Sequence, residues 1–494
     1  MLKLDFDNFL NATGEIGFVE RSLASLVYVN GLPGAGLQEL VVFESGEVGQ
    51  ATALFEGSVE IMSFSRTSVK VGSRVARTGR LLEVPVGEGL LGTVINPLGH
   101  SVNALKPLMN VHEMRFVEVV PSGITSRSRI KKSLETGVSM VDLLLPLGKG
   151  QRELVIGDQK TGKSRFLLRA LLAQVKVGAV GVYAIVGKDQ ISIKQIETTL
   201  SEMGILGKVV LVVSNGDDAA GMIYLTPYTA MTIAEYFRDM GRDVLVVLDD
   251  LTVHAKTCRE IALLGKRFPG RNSYPGDIFY THSRLLERAG NFLTTRGEVA
   301  ITCIPVVETV QGDMTGYIQT NVMSMTDGHI FFDHNLFSEG RRPAIDPFLS
   351  VTRVGRQTQT QLKREIGKEL ITFLRDVEKL HNFASFGAEL GEHIKRALAK
   401  EERVRQFFDQ TAHDRIPGPL QIIIFGLVWS ELWEVKSEIE IRGDIQKIIF
   451  QYESKPDYRK RVDAYVQSCN SVGALLKRID GFNTSPSQVP GEAK

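Results

Sequence analysis

The sequence is short of the residues that mark several specialised classes of protein. Three cysteines occur in 494 residues, Cys258, Cys303 and Cys469, and none forms a CxxC pair. That argues against a disulfide framework and a cysteine metal site, and it favours a reducing compartment. The nine histidines, among them His254, His282 and His329, show no HExxH spacing, so no structural zinc is expected. The two tryptophans, Trp429 and Trp433 in LVWSELW, stand at helical i, i+4 spacing and read as core packing. The apolar runs at 245–248 and 420–428 fall well short of the roughly 20 residues that cross a bilayer. The opening MLKLDFDNFLNATGEIGFVER carries early acidic residues and no apolar core with a cleavage site, unlike a signal peptide. Charge of one sign is missing too. Fifty-eight basic against fifty-seven acidic side chains give no electrostatic reason to expect a nucleic-acid partner.

What is present is an ordinary globular composition, 43% hydrophobic and 23% charged, in a chain long enough for two to four domains. Residues 1–79 hold short β-branched runs (SLVYV, LVVF, VEIMSF) cut by NGLPGAG and ESGEVG, a pattern that fits a small closed β-barrel. From 80 to 360, buried runs such as ELVIG, VGVYAIVG, VVLVVS, DVLVVLDD and EVAITCIPVV alternate with helical stretches. That alternation predicts an α/β domain with a parallel sheet. Helical periodicity dominates 361–480, and 481–494 reads as a disordered tail. No short internal repeat appears, so a solenoid is not expected.

The segment Gly157, Asp158, Gln159, Lys160, Thr161, Gly162, Lys163, Ser164 matches the P-loop pattern. The apolar strand ELVI precedes it and the helical RFLLRALLAQV follows, the context the motif requires. Glycines let the backbone wrap a polyphosphate, so that N–H groups and a helix N-terminus meet the negative charge. Lys163 adds a point charge, and the Ser164 hydroxyl can ligate Mg²⁺. Further on, VLVVL ends in Asp249 and Asp250. A carboxylate ending a neighbouring parallel strand can hold Mg²⁺, although a strand-end aspartate also commonly caps the next helix. Asp249 takes the metal role and Asp250 the cap or supporting role.

Several longer segments together resemble the alpha subunit of F-type ATP synthase. They are RTGRLLEVPVGEGLLGTVINPLG (77–99), GQRELVIGDQKTGKS (150–164), PGRNSYPGDIFYTHSRLLERAG (269–290), GDMTGYIQTNVMSMTDGHIFF (312–332) and RRPAIDPFLSVTRVG (341–355). The resemblance implies an N-terminal β-barrel, a central RecA-like P-loop NTPase domain and a C-terminal helical domain. It also implies a hetero-hexameric ring in which alpha chains alternate with catalytic beta chains around a gamma shaft. Such a ring couples ATP synthesis or hydrolysis to proton or sodium transport, from the cytoplasmic side of the inner membrane or an organellar equivalent. ATP or ADP with Mg²⁺ would be the ligands. Carried over by position, Lys163 and Ser164 match the phosphate and metal contacts, and Asp249 the strand-end carboxylate. Arg342 matches an arginine near the phosphates and Phe337 an aromatic residue near the adenine. Arg353, in SVTRVG, matches an arginine finger reaching the beta chain's catalytic site. Gln410, in RVRQFFDQTAHDRIP, corresponds to an adenine-loop glutamine.

The departures carry information of their own. Beta chains place a catalytic glutamate, and alpha chains a glutamine, where this sequence has Lys188. A lysine is protonated at neutral pH and cannot serve as the base. Asp189 stands one residue out of register. The site therefore reads as binding-competent and catalytically silent. Gln159 and Lys160 replace the usual Arg-Gln pair. Arg165 replaces a small hydroxyl residue, either adding charge beside the phosphates or lying in solvent. Little sequence precedes the barrel, so docking of a peripheral-stalk subunit is expected to differ. An autonomous homo-hexameric RecA-like ATPase, of the export or Rho-like kind, would need its own glutamate near 188 and would not need SVTRVG. A subunit that had lost nucleotide binding altogether would not need Lys163, Ser164 and Asp249.

Overall fold

The short β-branched runs of the first eighty residues, cut by glycine and proline turns, form the expected barrel. The computed structural model describes residues 5–102, 110–111, 113–384, 392–410 and 415–482. Six strands, Ile16–Leu23, Leu26–Asn30, Glu39–Phe43, Val48–Leu54, Val59–Ser63 and Arg74–Leu81, close on themselves when the first pairs with the last. Val41 and Phe43 join Val19, Val27, Val29, Ile61 and Val75 in the interior. The intervening Val42 faces the other way with Ala76 and meets Phe6, Phe9 and Leu10. Those three belong to a helix, Phe6–Thr13, with an Asp5 N-cap and a left-handed Gly14 C-cap. The sequence reading gave no helix ahead of the barrel. Its eight residues include Asp, Thr and two Asn, poor formers whose helix depends on tertiary packing.

Two compact units interleave along the chain. Met1–Arg129, Gly150–Ile156 and Val175–Asp327 form the first, and Ile130–Lys149, Gly157–Gln174 and Gly328–Lys494 the second. The first unit contains the barrel and a mostly parallel sheet. In the sheet the strand Glu153–Gly157 is followed in order by Gly297–Glu308, Val244–Asp249, Val180–Lys188, Val209–Asn215 and Val94–Ile95. The strand Gly290–Thr294 adds an antiparallel hairpin. Every residue of Val244–Asp249 is buried, as a strand covered on both faces requires. Its parallel register sets Ile185 opposite Asp249.

The second unit holds the P-loop, the antiparallel pair Gly328–Phe332 and Val351–Thr352, and the C-terminal helices beginning with Gln361–Ala384. Helix Gly418–Trp429 is apolar all round and buried almost throughout. It stops at Ser430, and Trp433 lies in a separate 3-10 turn. The two tryptophans therefore do not share a helix, a correction to the i, i+4 reading. Their packing role stands: Trp433 is fully buried, and Trp429 stacks on Phe425. Among the described residues no helix is long and apolar enough to cross a membrane. Most of the expected tail lies outside the described residues.

In the first unit, helices Ala220–Asp239, Leu251–Leu264 and Ile278–Leu286 enclose a histidine pair. His254 Nε2 lies 3.1 Å from the Tyr224 carbonyl, and His254 Nδ1 lies 3.0 Å from His282 Nε2. A carbonyl only accepts, so Nε2 of His254 carries the proton and its Nδ1 accepts from His282. That leaves His282 Nδ1 a lone pair without a partner, consistent with its unsatisfied state. Burial lowers His254 to about 4 and pushes His282 well below the usual value. Both groups have folded values below their unfolded ones, so their stability contribution is complete above the unfolded value and lost as pH falls. The thermal midpoint is expected to be insensitive to this pair above about 6.5 and to fall toward about 4. His282→Gln should show a shallower fall in scanning calorimetry across the same window.

Candidate functional site

The strand Glu153–Gly157 leads into the loop, and helix Lys163–Lys176 leaves it. Gly157 has φ 154°, and a Cβ there would sit 2.3 Å from the Phe332 carbonyl oxygen. Only glycine allows that approach. Gly162 (φ 98°) and Lys160 (φ 61°) are left-handed, bending the segment into a tight turn. The Thr161 hydroxyl closes it by donating to the Asp158 carbonyl at 2.7 Å. Lys163 folds back over the loop, its ammonium donating to the carbonyls of Gly157 (2.7 Å) and Asp158 (2.5 Å). Ser164 is exposed, as are Gln159, Lys160 and Arg165. The helix N-terminus, a buried lysine and a turn built from backbone form an arrangement suited to an anion.

Phe337 and Arg342 come together in the same unit. The Arg342 guanidinium lies 3.6 Å over the Phe337 ring and donates to the carbonyls of Phe337 (2.8 Å) and Arg341 (2.7 Å). Gln410 is placed differently from expectation. It is buried, its Oε1 accepts from the Ser139 amide at 2.7 Å, and its Nε2 donates to the Gly137 carbonyl at 2.9 Å. Its main chain takes a bond from Arg169 of the loop helix (3.2 Å) and gives one to the Arg342 carbonyl (2.9 Å). The amide is thus engaged at both ends by main-chain groups of the 137–139 segment. Gln410 ties the loop helix, the 137–139 segment and the Arg342 segment into one frame. Asp142 supports that frame, accepting from Thr136, Gly137 and Gln421, and burial pushes its carboxyl up to about 6.

Asp249 and Lys188 belong to the first unit, on neighbouring strands. Lys188 lies three residues past the Ile185 that registers with Asp249, where the pairing with the next strand shifts. Its ammonium reaches Asp249 Oδ2 at 2.5 Å, and the Tyr183 hydroxyl donates to the same oxygen at 2.7 Å. Burial, reinforced by Asp249, pushes the Tyr183 phenol well above its ordinary value, so it remains a donor. Asp250 caps helix Leu251–Leu264 through the Val253 amide, and burial with its acidic neighbours raises it to about 7. Asp189 caps helix Gln190–Glu202 through Ser192, and those hydrogen bonds lower its pKa. An aspartate held as an N-cap is not poised to activate water. Tyr183 was missed in the sequence. The available signal was one phenol in an otherwise aliphatic buried strand.

Mg²⁺ needs oxygen ligands at about 2.0–2.1 Å in near-octahedral array. Oδ2 of Asp249 already accepts from an ammonium and a phenol, which leaves Oδ1 as the oxygen of this carboxylate that would meet a metal. The Ser164 hydroxyl makes no side-chain hydrogen bond among the described residues and fits a single metal contact. No group of three or more His, Cys, Asp or Glu among the described residues is placed to hold a metal ion. Arg353 follows the strand Val351–Thr352, is exposed, and has no carboxylate partner among the described residues.

The Gln410 assignment makes a direct prediction. Gln410→Ala should lower stability by about 1–3 kcal/mol, because two buried backbone groups lose their partners. The ratio of ATP to GTP affinity should stay at the wild-type value in paired titrations. A changed ratio would return Gln410 to the base pocket.

Residues 137–352 match the ATP synthase alpha/beta family, nucleotide-binding domain. Over 447 residues the chain is 38% identical to the ATP synthase subunit alpha 2 of Syntrophotalea carbinolica, covering 90% of this chain and 85% of that relative. The barrel, the P-loop in its strand–loop–helix setting and a similarity of that extent lead to one conclusion: the chain belongs to the family of ATP synthase alpha subunits.

Proposed function

We propose that this chain is the non-catalytic, nucleotide-holding subunit of a rotary ATP synthase and lends Arg353 to a neighbouring catalytic chain. The observation that carries this reading is the pairing of an intact phosphate loop with Lys188 where a catalytic base would stand. The loop and Lys163 would bind the phosphates of ATP or ADP. Phe337 and Arg342 would line the nucleotide, and Mg²⁺ would contact Ser164. Lys188 is ion-paired and Asp189 is a helix cap, so neither is free to take a proton from water. The Arg353 guanidinium, with no carboxylate partner among the described residues, would stabilise transferring phosphoryl charge in another chain. Exposed Phe348, Leu349 and Val351 beside it give the segment the apolar surface of an interface. The partners in this reading are beta-type catalytic chains, a gamma-type shaft and a stalk subunit, with the membrane engaged only through the ion-translocating sector.

An autonomous ATPase on the same core would hydrolyse ATP unaided. The purified chain alone is expected to bind nucleotide without sustained turnover, and to support hydrolysis only when reconstituted with a beta-type partner. Arg353→Ala should reduce that turnover by about 10³–10⁵, the usual worth of an arginine finger, while leaving nucleotide binding by the isolated chain unchanged. Full activity in the Arg353→Ala complex would remove the finger assignment. Robust hydrolysis by the chain alone would remove the non-catalytic one.

A further inference from the structure

The phosphate loop gathers positive charge where the fold makes positive charge costly. Between Gly157 and Arg165 stand Lys160, Lys163 and Arg165 against the single acid Asp158. Lys163 and Arg165 lie in the first turn of helix Lys163–Lys176, which has no acidic residue in that turn. A helix N-terminus is the positive end of the macrodipole, so cations there oppose it and repel one another. Lys160 adds a further cost. Its backbone is left-handed at φ 61°, a conformation unfavourable to a residue with a Cβ. Buried Lys163 spends its ammonium on the carbonyls of Gly157 and Asp158. Lys160 and Arg165 are exposed and make no ion pair or side-chain hydrogen bond among the described residues. A bound polyanion relieves both electrostatic costs, and strain kept at an exposed lysine is offset by the contact that lysine can then make.

We propose that Lys160 and Arg165 are a second pair of phosphate contacts, on either side of Lys163 in the sequence, and that they make this chain selective for nucleoside triphosphate over diphosphate. The loop amides and Lys163 hold either ligand. Attraction to the two outer cations grows with ligand charge, and a triphosphate brings one phosphate more than a diphosphate. The lysine acts as a point charge and the arginine as a fork that can take two phosphate oxygens. Because both side chains stand in solvent, salt screens them more than it screens Lys163. This inference rests on the reading that the loop binds nucleotide.

The test is calorimetric titration of the purified full-length chain with ATP and with ADP in one Mg²⁺ buffer. Wild type should bind ATP about tenfold or more tightly than ADP. The double variant Lys160→Asn, Arg165→Ser removes both charges, and asparagine tolerates the left-handed backbone. Its affinity for ATP should fall about tenfold and that for ADP about threefold or less. Its ATP affinity should also depend less on salt. Arg165→Lys keeps both charges and should hold the wild-type ratio. Without ligand, the double variant should melt no lower than wild type, because the cations it loses opposed the helix dipole. A lower midpoint with unchanged affinities would make the pair structural and overturn the inference. Equal wild-type affinity for ATP and ADP would do the same, as would an unchanged ratio in the double variant. If the double variant does not fold, each single substitution should lower the ratio by about twofold or more. No binding of either nucleotide by wild type would defeat the nucleotide reading itself, and the inference with it.

Discussion

Parallel register between the strands Val180–Lys188 and Val244–Asp249 is the constraint from which the chain's character follows. In a parallel sheet all strands finish at the same edge, and polar residues gather there because the strand interiors are sealed by helices. Setting Ile185 opposite Asp249 puts whatever follows Ile185 within side-chain reach of that carboxylate. A glutamate at residue 188 would have met Asp249 as a like charge, held apart and available to water. A lysine meets it as an opposite charge and closes on it. One residue type at one strand end thus converts a site with a base into a site with an internal ion pair, without disturbing the sheet. Asp250 beside it is raised to about 7 by burial and by the neighbouring Asp249 and Glu308 charges, and it is used as a helix cap.

The phosphate loop is held in place by a separate set of contacts. Gly157 passes so close to the Phe332 carbonyl that no side chain fits between them, which fixes the loop against the strand leading to Phe337. From the other side, Arg169 of the loop helix bonds to Gln410, whose amide and main chain hold the 137–139 segment and Arg342. Buried polar networks of this kind favour a single arrangement, because any slip leaves desolvated groups without partners. The loop is therefore pre-shaped by backbone contacts and by a buried amide, so less ordering has to accompany the arrival of a ligand.

Much of this was legible in the sequence because it is written locally. Short β-branched runs cut by turns at 1–79 give a barrel whose closing strand ends at Leu81, and buried runs between helical stretches give a mostly parallel sheet. The P-loop is a contiguous motif whose strand and helix lie directly beside it. What was not legible depends on residues distant in sequence. Gln410 was read from its place in a motif, and only the fold shows both ends of its amide bonded to 137–139. The Tyr183 bond to Asp249 spans 66 residues. The partner of Lys188 could be seen only once strand order and register were known. The tryptophan spacing misled because a helix end at Ser430 leaves no strong mark in LVWSELW.

A site that binds without turning over still has thermodynamic consequences. A ligand that binds the folded chain and not the unfolded one stabilises it by about 2.7 kcal/mol at a hundredfold excess over its dissociation constant. Because the loop and its supporting network belong to the same unit as Arg353, that stabilisation falls on the unit that presents the exposed guanidinium. An arginine that acts on another chain's chemistry must be held to within fractions of an ångström, and the stiffness must come from its own scaffold. A catalytic site would surrender its ligand with every cycle and the stiffening with it. Retaining nucleotide at a silent site avoids that loss. On the function proposed above, this chain's contribution to catalysis would be mechanical support and one charge.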